Sequence, residues 1–447
     1  MKESQYNIWV ERANIFYVFN GLSGILLSLS REEFESLRRF LAGENDFVPN
    51  LLLRLTQGRM LILDDEDELE TLETIYQNSR FNTSKFYLRI VTSLGCNFDC
   101  PYCFEAKHPS IMDGEVQESI IAVLDDQIPK IKRFDVGWFG GEPLVGKKSL
   151  LALSDTFIER CDRADVFYDA HIFTNGYLLD EDTCRQLQDR RVTTAQVTLD
   201  GPPEIHNRMR PLSNGKGSFW QIIKNLHHAV NYLGVQLRVS IDTENFRNVE
   251  TLFQILAKEG LSGKLTVYPA RLFGADNGVS SPAATYQSRC FTLSEYARAE
   301  LEFNTLAFQY GLAQPELPEP IATPCTAVRA NELIVGSKGE LYKCPINIGN
   351  KMEVIGDIRD YQNHNGRVHK WLKYDPFSDA ECRTCIALPG CMGGCAHDAM
   401  SRKLYDNRCS TFRHTYREQI MTSIDRGGQA NFMATSVPVK ITRQKYS

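Results

Sequence analysis

Residues 86–104 read FYLRIVTSLGCNFDCPYCF: strand text through Ser93, then Leu94-Gly95, then cysteines at 96, 100 and 103. A C-x3-C-x2-C run supplies three thiolates, whereas a structural zinc site takes four protein ligands in a closed tetrahedron. Three thiolates on one loop suit a cubane iron–sulfur cluster whose fourth iron stays open. Spacing alone leaves two other readings, a zinc knuckle completed by a distant ligand such as His108 and a plain cysteine-rich turn.

Outward from this loop, residues 85–275 alternate strand and helix text. The expected strands are FYLRIVTS, FDVGWFGG, DAHIFTNG, TAQVTLDG, LRVSID and LTVYPA. Segments of helical period, such as GEVQESIIAVLDDQIPKI and FWQIIKNLHHAVNYLG, lie between most of them. That is the signature of βα units on a parallel sheet, and six strands predict a partial barrel rather than a closed eightfold one. Helical text from Leu293 to about Gly311 leads to a proline-rich linker, QPELPEPIATP. Residues 325–409 then carry little helix and many cysteines, a unit expected to be held by metal rather than by an apolar core.

Residues 1–80 read as a separate small module. NIFYVFN and GILLSLS are strands joined near Asn20-Gly21, and SREEFESLRRFLAG is a helix with Ser30 as N-cap and Glu33 at the capping-box position. A second helix around VPNLLLRLTQG, a strand at RMLILDD and a helix at DEDELETLETIYQNSR follow. The acidic run DDEDELE reads as a solvated helix start.

The 447 residues carry 43% hydrophobic and 24% charged side chains with a net charge of −6, a soluble globular composition without the cationic excess of a broad nucleic-acid surface. No run of about 18 apolar residues spans a membrane, and the start MKESQYNIWVER lacks the form of a secretory signal. The chain therefore reads as cytoplasmic, where closely spaced cysteines are more often metal ligands than disulfides. Ten of the thirteen cysteines fall into two such groups; Cys161, Cys184 and Cys290 stand apart, the first two in helical text where a buried structural role is expected.

The ends of the next strands add to the first group. Gly140-Gly141-Glu142-Pro143 ends the second strand, Thr174-Asn175-Gly176 the third and Thr198-Leu199-Asp200-Gly201 the fourth. Polar residues at successive carboxyl ends are where α/β sheets place ligands. The cysteine motif together with G-G-E-P resembles the radical S-adenosylmethionine (SAM) superfamily. That resemblance implies a partial (β/α)6 barrel in which Cys96, Cys100 and Cys103 hold a 4Fe–4S cluster and SAM chelates the open iron. Tyr102 matches the aromatic before the last cysteine, and Gly140, Gly141 and Glu142 match the segment that binds the methionine amine. Asn175, Thr198 and Asp200 are weaker matches, the last a candidate base together with Glu204 and Asp242.

The second group is Cys325, Cys344, Cys382-x2-Cys385-x5-Cys391-x3-Cys395 and Cys409. Seven thiolates exceed one site and nearly fill two; a pair of structural zincs is the simpler alternative. The arrangement is similar to the SPASM extension of radical enzymes, which holds two auxiliary clusters. It implies one cluster on Cys382, Cys385, Cys391 and Cys409 and another on Cys325, Cys344 and Cys395. The stretch before Cys325 lacks the fourth cysteine that related enzymes commonly provide, leaving an open iron, a non-cysteine ligand, a remote ligand such as Cys290, or a smaller cluster.

The domains expected are thus 1–80, a winged-helix-like peptide-recognition element; 85–311, the barrel; 312–420, the SPASM domain; and 421–447, a tail. By resemblance the chain is a maturase that takes hydrogen from a ribosomally made precursor peptide and installs a crosslink or ring. Its partners would be a leader-bearing precursor and an electron donor of flavodoxin or ferredoxin type. Two rivals share the chemistry: a sulfatase maturase, against which Cys344 is followed by Pro345-Ile346-Asn347 with no carboxylate, and a peptide epimerase. A non-catalytic iron–sulfur scaffold would have no use for a G-G-E cofactor seat.

Overall fold

A computed structural model of the chain describes residues 1–44, 48–105, 109–274, 281–286, 289–314, 316–401 and 407–427. His108 and most of the expected C-terminal tail lie outside the described residues. The chain divides into two compact units: Met1–Arg80 with Pro315–Cys325 and Tyr374–Ser447, and Phe81–Gln314 with Thr326–Lys373. This division cuts across the boundaries read from the sequence.

The first unit contains β1 (Lys2–Glu3), β2 (Asn7–Arg12), β3 (Ile15–Asn20), β4 (Ile25–Leu29) and β5 (Leu61–Ile62). β2, β3 and β4 form an antiparallel meander, and β1 pairs with β5. Because side chains alternate across a strand, the meander has two apolar faces. One, with Val18, Leu27 and Leu29, packs on Leu37, Leu51, Leu55 and Met60. The other, with Ile8, Val10, Phe19 and Leu26, packs on Ala387, Phe412 and Ile420. Residues 1–80 therefore share a core with the late cysteine-rich segment. The helix Arg31–Leu41 starts at the expected capping box of Ser30 and Glu33.

The strand β2 has no counterpart in the sequence reading, and the turns explain why. Ala13 and Asn14, both at positive φ (51° and 63°), make the two-residue turn between β2 and β3. Asn20-Gly21, the stronger turn signal in the text, opens a wider loop instead, because Asn20 and Ile25 are the last paired residues. The buried Asn20 amide is a hub: its nitrogen reaches Ser4 Oγ, Asn7 Oδ1 and the Arg59 carbonyl at 2.8–3.0 Å.

The second unit is built on one nine-stranded sheet. β6 (Lys85–Ser93), β7 (Arg133–Gly140), β8 (Phe167–Thr174), β9 (Val192–Thr198), β10 (Gly234–Ile241) and β11 (Leu265–Arg271) lie side by side in sequence order and run parallel. These are the six expected strands. β6 pairs on its other side with β12 (Glu332–Val335), which continues into β13 (Glu340–Tyr342) and β14 (Gly356–Asp357). The sheet is thus an open partial barrel with a three-strand extension. Helices follow most strands, with Asp113 and Asp180 capping Gly114–Gln127 and Glu181–Gln188 through the backbone N–H groups of Val116 and Thr183. The apolar sides of sheet and helices bury Phe86, Phe134, Trp138 and Phe157. Leu333, Val335, Leu341, Ile355 and Ile358 join the same core, so residues 326–373 are held by apolar packing and not by metal alone.

Candidate active site and cysteine-lined cavity

The cysteine loop leaves the carboxyl end of β6 and is seated from below by the end of β7. Gly141 N donates to Ser93 O (3.0 Å) and Glu142 N to Gly95 O (3.1 Å). A Cβ on Gly140, whose φ is +136°, would lie 2.2 Å from Ser93 O, and one on Gly141 would lie 2.7 Å from Leu94 O. The paired glycines let two backbones touch; larger residues would push the loop away.

Glu142 is wholly buried, and its carboxylate accepts from Leu144 N (3.0 Å), Thr174 Oγ1 (2.8 Å) and Asn175 N (2.7 Å). Burial raises its carboxyl above the ordinary range, outweighing these hydrogen bonds. The side chain singled out as an acceptor for an amine thus already ties the end of β7 to the end of β8. Asn175 carries the tie onward: its Nδ2 donates to Asn97 Oδ1 (2.7 Å) and lies 3.9 Å from Cys96 Sγ. Thr198 is buried at the end of β9, opposite Arg238 of β10.

Beneath the middle of the loop is a buried polar network. Tyr102 donates its hydroxyl to Asp200 Oδ2, while Arg210 Nη1 donates to Tyr102 Oη (2.7 Å). Asp200, 0% exposed, also accepts from Ser240 N (3.0 Å). Burial, then the Asp200 charge against the opposing pull of Arg210, keeps the Tyr102 phenol neutral. Burial works against the charge on Arg210, but Tyr102, Cys100 and Asp200 facing it more than offset this, and the guanidinium stays charged. The Asp200 N–H donates to His206 Nδ1 (3.2 Å), which leaves the proton on Nε2 facing Ser218 Oγ at 3.1 Å. Burial, then Arg210, holds His206 neutral. Asp200 is therefore a hub under the loop with no exposed surface.

Arg210, Ser218 and Tyr286 were not found by sequence reasoning. Arg210 sits in a charged loop text, HNRMRP, with nothing to separate it from Arg208. Tyr286 donates to buried Asp242 and stacks edge-on to Tyr102 at 5.8 Å, and Ala283 N donates to Cys103 O (3.1 Å). Glu204 and its neighbour Arg208 are not part of this network; Arg208 pairs with Glu244 at 2.9 Å on the surface.

The donor set discriminates between metals. Three thiolates on one loop leave a zinc one ligand short of its closed tetrahedron and suit a cluster with one open iron. Phe98 N donates to Cys96 Sγ (3.4 Å), and two donors beside the loop, Asn97 Nδ2 and Arg210 Nε, are buried without a hydrogen-bond partner. Unsatisfied buried donors of this kind fit an anionic group at the loop.

Residues 90–256 match the radical SAM superfamily. The chain carries a radical SAM domain over these residues. The chain is 22% identical over 324 residues to the cysteine-type anaerobic sulfatase-maturating enzyme of Clostridium novyi, covering 68% of this chain and 85% of that protein. It is 27% identical over 165 residues to the Fe-coproporphyrin III synthase of Methanosarcina barkeri, spanning only 39% of that protein and 37% of this one. Among solved structures, anSMEcpe with bound AdoMet and Cp18Cys peptide superposes with a TM-score of 0.58 at 18% identity, over 76% of this chain and 99% of that one. Streptococcus suis SuiB bound to precursor peptide SuiA superposes with a TM-score of 0.50 at 12% identity, over 90% and 97%. At these identities the structures establish the fold, that of a radical SAM partial barrel. A radical SAM domain implies a 4Fe–4S cluster and SAM.

Of the second cysteine group, Cys382, Cys385, Cys391 and Cys409 line one cavity together with Leu388, Gly393 and Arg413. Arg413 Nη1 donates to Cys409 Sγ (3.2 Å). Burial pushes Cys382 up to about 12 and Cys391 up to about 11, so metal loading here must release thiol protons. Cys325 and Cys395 belong to the same unit as this cavity, and Cys344 is buried in the barrel unit. Cys161 and Cys184 are buried in helices, where burial pushes each up to about 12, and Cys290 Sγ donates to Tyr286 O (3.5 Å). Among the described residues no helix is long and apolar enough to cross a membrane.

Proposed function

We propose that the chain is a cytoplasmic peptide maturase that takes a hydrogen atom from a ribosomally made precursor peptide and closes a crosslink or ring. Its ligands for the barrel cluster are Cys96, Cys100 and Cys103. Cys382, Cys385, Cys391 and Cys409 hold one auxiliary cluster, and Cys325, Cys344 and Cys395 contribute to another. The observation that carries the reading is the assembly at the ends of β6–β9, where Gly140, Gly141 and Glu142 fix the cysteine loop and Tyr102, Asp200 and Arg210 brace it.

When bound, SAM and the reduced cluster supply a 5′-deoxyadenosyl radical. The chain's own residues orient and shield. Glu142 and Asn175 hold Cys96 in register with β8, the charged Arg210 braces Tyr102 next to Cys103, and the aromatic rings of Phe98, Tyr102 and Tyr286 keep water from the loop. Asp200 acts through Tyr102 and Arg210, as a positioning residue.

A peptide substrate is supported by the meander of the first unit. β2 and β4 each have one edge that pairs with no other strand among the described residues, the kind of edge to which an extended leader adds by main-chain hydrogen bonds. SuiB, solved with its precursor peptide SuiA, is a structural neighbour of this chain in overall fold. Formylglycine formation is the second reading, favoured by the coverage of the sulfatase-maturating relative. It is disfavoured by the residues after Cys344, where Asn347 pairs with Glu353, itself bound to Lys370.

Anaerobic turnover of reconstituted enzyme with SAM, a reductant and candidate precursors, followed by mass spectrometry, separates the readings. Loss of two hydrogens within a peptide supports the maturase. Conversion of a peptide cysteine or serine to an aldehyde supports the second reading, and inversion with solvent hydrogen incorporated and no other mass change supports an epimerase.

A further inference from the structure

The four cysteines of the cavity do not share one electrostatic setting. The Cys391 sulfur faces neutral donors, the backbone N–H groups of Ser410 and Gly393. The Cys409 sulfur faces a full positive charge, because Arg413 Nη1 donates to it at 3.2 Å. Among the described residues, Arg413 is the one cation on the cavity wall and Glu381 the one carboxylate. Ala387 and Leu388, each 1% exposed, add apolar surface to that wall. Four thiolate donors around one such cavity fit the four-cysteine ligand set of an iron–sulfur cluster.

The place of Arg413 follows from the helix that carries it. Helix Phe412–Asp425 buries Phe412 and Ile420 in the core shared with Ile8, Val10, Phe19 and Leu26 of the meander. Phe412 N donates to Ser410 Oγ (3.2 Å), closing the turn that leads from Cys409 into the helix. Arg413 thus leaves the first helical turn four residues after the cysteine it contacts. The same Nη1 lies 3.4 Å from Glu381 Oε2, and Arg408 Nη2 donates to that oxygen at 2.9 Å. Sulfur is the larger acceptor atom, yet it holds the shorter contact with Arg413. Glu381 is therefore chiefly the partner of Arg408, and Arg413 chiefly that of the thiolate. The Glu381 side chain is 58% exposed against 39% for Arg413, so water screens the carboxylate more.

We infer that Arg413, acting through the Cys409 sulfur, is a positioning residue that sets the reduction potential of the cluster on Cys382, Cys385, Cys391 and Cys409, with Glu381 as a smaller counterweight. The inference rests on the proposed auxiliary-cluster reading. Reduction adds one negative charge to a cluster, and a cation hydrogen-bonded to a ligand sulfur stabilises that charge. Arg413 therefore raises the potential, and Glu381 lowers it by drawing on the same nitrogen. The consequence falls on ring closure. A substrate radical that closes a ring sheds one proton and one electron, and an acceptor of raised potential takes that electron more readily.

The test uses the full chain carrying Cys96→Ala, Cys100→Ala and Cys103→Ala, which confines iron to the auxiliary sites, with no SAM present. Iron, sulfide and zinc are counted, and the auxiliary potentials are read by redox titration with electron paramagnetic resonance. Cys409→Ser marks the signal that belongs to this cavity by altering or abolishing it. The expected result is a fall of that one potential in Arg413→Gln, a smaller fall in Arg413→Lys and a small rise in Glu381→Gln, with iron and sulfide unchanged. Full iron with an unmoved potential in Arg413→Gln overturns the inference, as does an equal shift of both auxiliary clusters. Loss of the cavity's iron from both Arg413→Gln and Arg413→Lys overturns it in favour of a purely structural role. Zinc in place of iron in the parent, or no auxiliary iron there, overturns the cluster reading and the inference with it.

Discussion

Glu142→Gln tests whether the G-G-E segment is built into the sheet or serves a ligand alone. In the native side chain Oε1 accepts from Leu144 N and Thr174 Oγ1, and Oε2 accepts from Asn175 N. An amide keeps one oxygen. If its NH2 replaces Oε1, the Thr174 hydroxyl can turn to accept, but the Leu144 N–H faces a donor. If it replaces Oε2, the Asn175 N–H does so. Either placement orphans one buried backbone N–H, at a cost of about 1–3 kcal/mol. Removing a buried carboxylate whose pKa burial has raised recovers part of this, so the lower half of that range applies to glutamine. Glu142→Ala orphans both N–H groups and costs about 2–6 kcal/mol before any cavity is counted. The assay is denaturant unfolding of the metal-free chain under reducing conditions, read as a midpoint shift at unchanged slope. Midpoints unchanged in both variants, with SAM binding abolished, would refute the latch and return Glu142 to a purely ligand-facing role.

Three further outcomes follow from the same geometry. Gly140→Ala places a Cβ 2.2 Å from Ser93 O at a φ of +136°; reconstitution should then lose the barrel cluster while keeping auxiliary iron, and unchanged total iron would contradict it. His206, 0% exposed and held neutral by burial, has its pKa depressed below that of the unfolded chain. The unfolded state therefore binds the extra proton first, so the stability His206 contributes is complete above about pH 6.5 and falls below it by at most about 1.4 kcal/mol per pH unit. Wild type should lose more stability than His206→Asn between pH 7 and pH 5.5, and parallel losses would refute it. Deleting residues 1–80 uncovers Ala387, Phe412 and Ile420, so the truncated chain should aggregate and lose iron from the Cys382 cavity. A soluble truncation with full auxiliary iron would show the meander to be a detachable module.

The barrel was legible because its strands are short runs with β-branched and aromatic residues, almost continuously buried in β6 and β7 and alternately buried in β8 to β11, with helix text between most of them. The cysteine loop and G-G-E-P were legible because they are contiguous text. The meander's third strand was not: NIWVER ends in charge, and its turn rests on Ala13-Asn14 at positive φ, where asparagine–glycine is the usual sign. The expected independence of residues 1–80 overlooked that Phe19 and Leu26 face opposite to Val18 and Leu27 and need a second cover. Residues 326–373 were read as metal-held because their strands are only two to four residues long, yet Leu333, Val335 and Leu341 belong to the barrel's core. Arg210 and Tyr286 come to the cysteine loop from about a hundred residues or more away, and no local spacing marks them.

The central claim is tested most directly by measuring 5′-deoxyadenosine. The chain and its Cys96→Ala variant are reconstituted anaerobically with iron and sulfide, reduced, and incubated with SAM. The account predicts 5′-deoxyadenosine and methionine from the chain and neither from the variant, with auxiliary iron equal in the two. Fully loaded clusters that form no 5′-deoxyadenosine, or a variant as active as the parent, would contradict it.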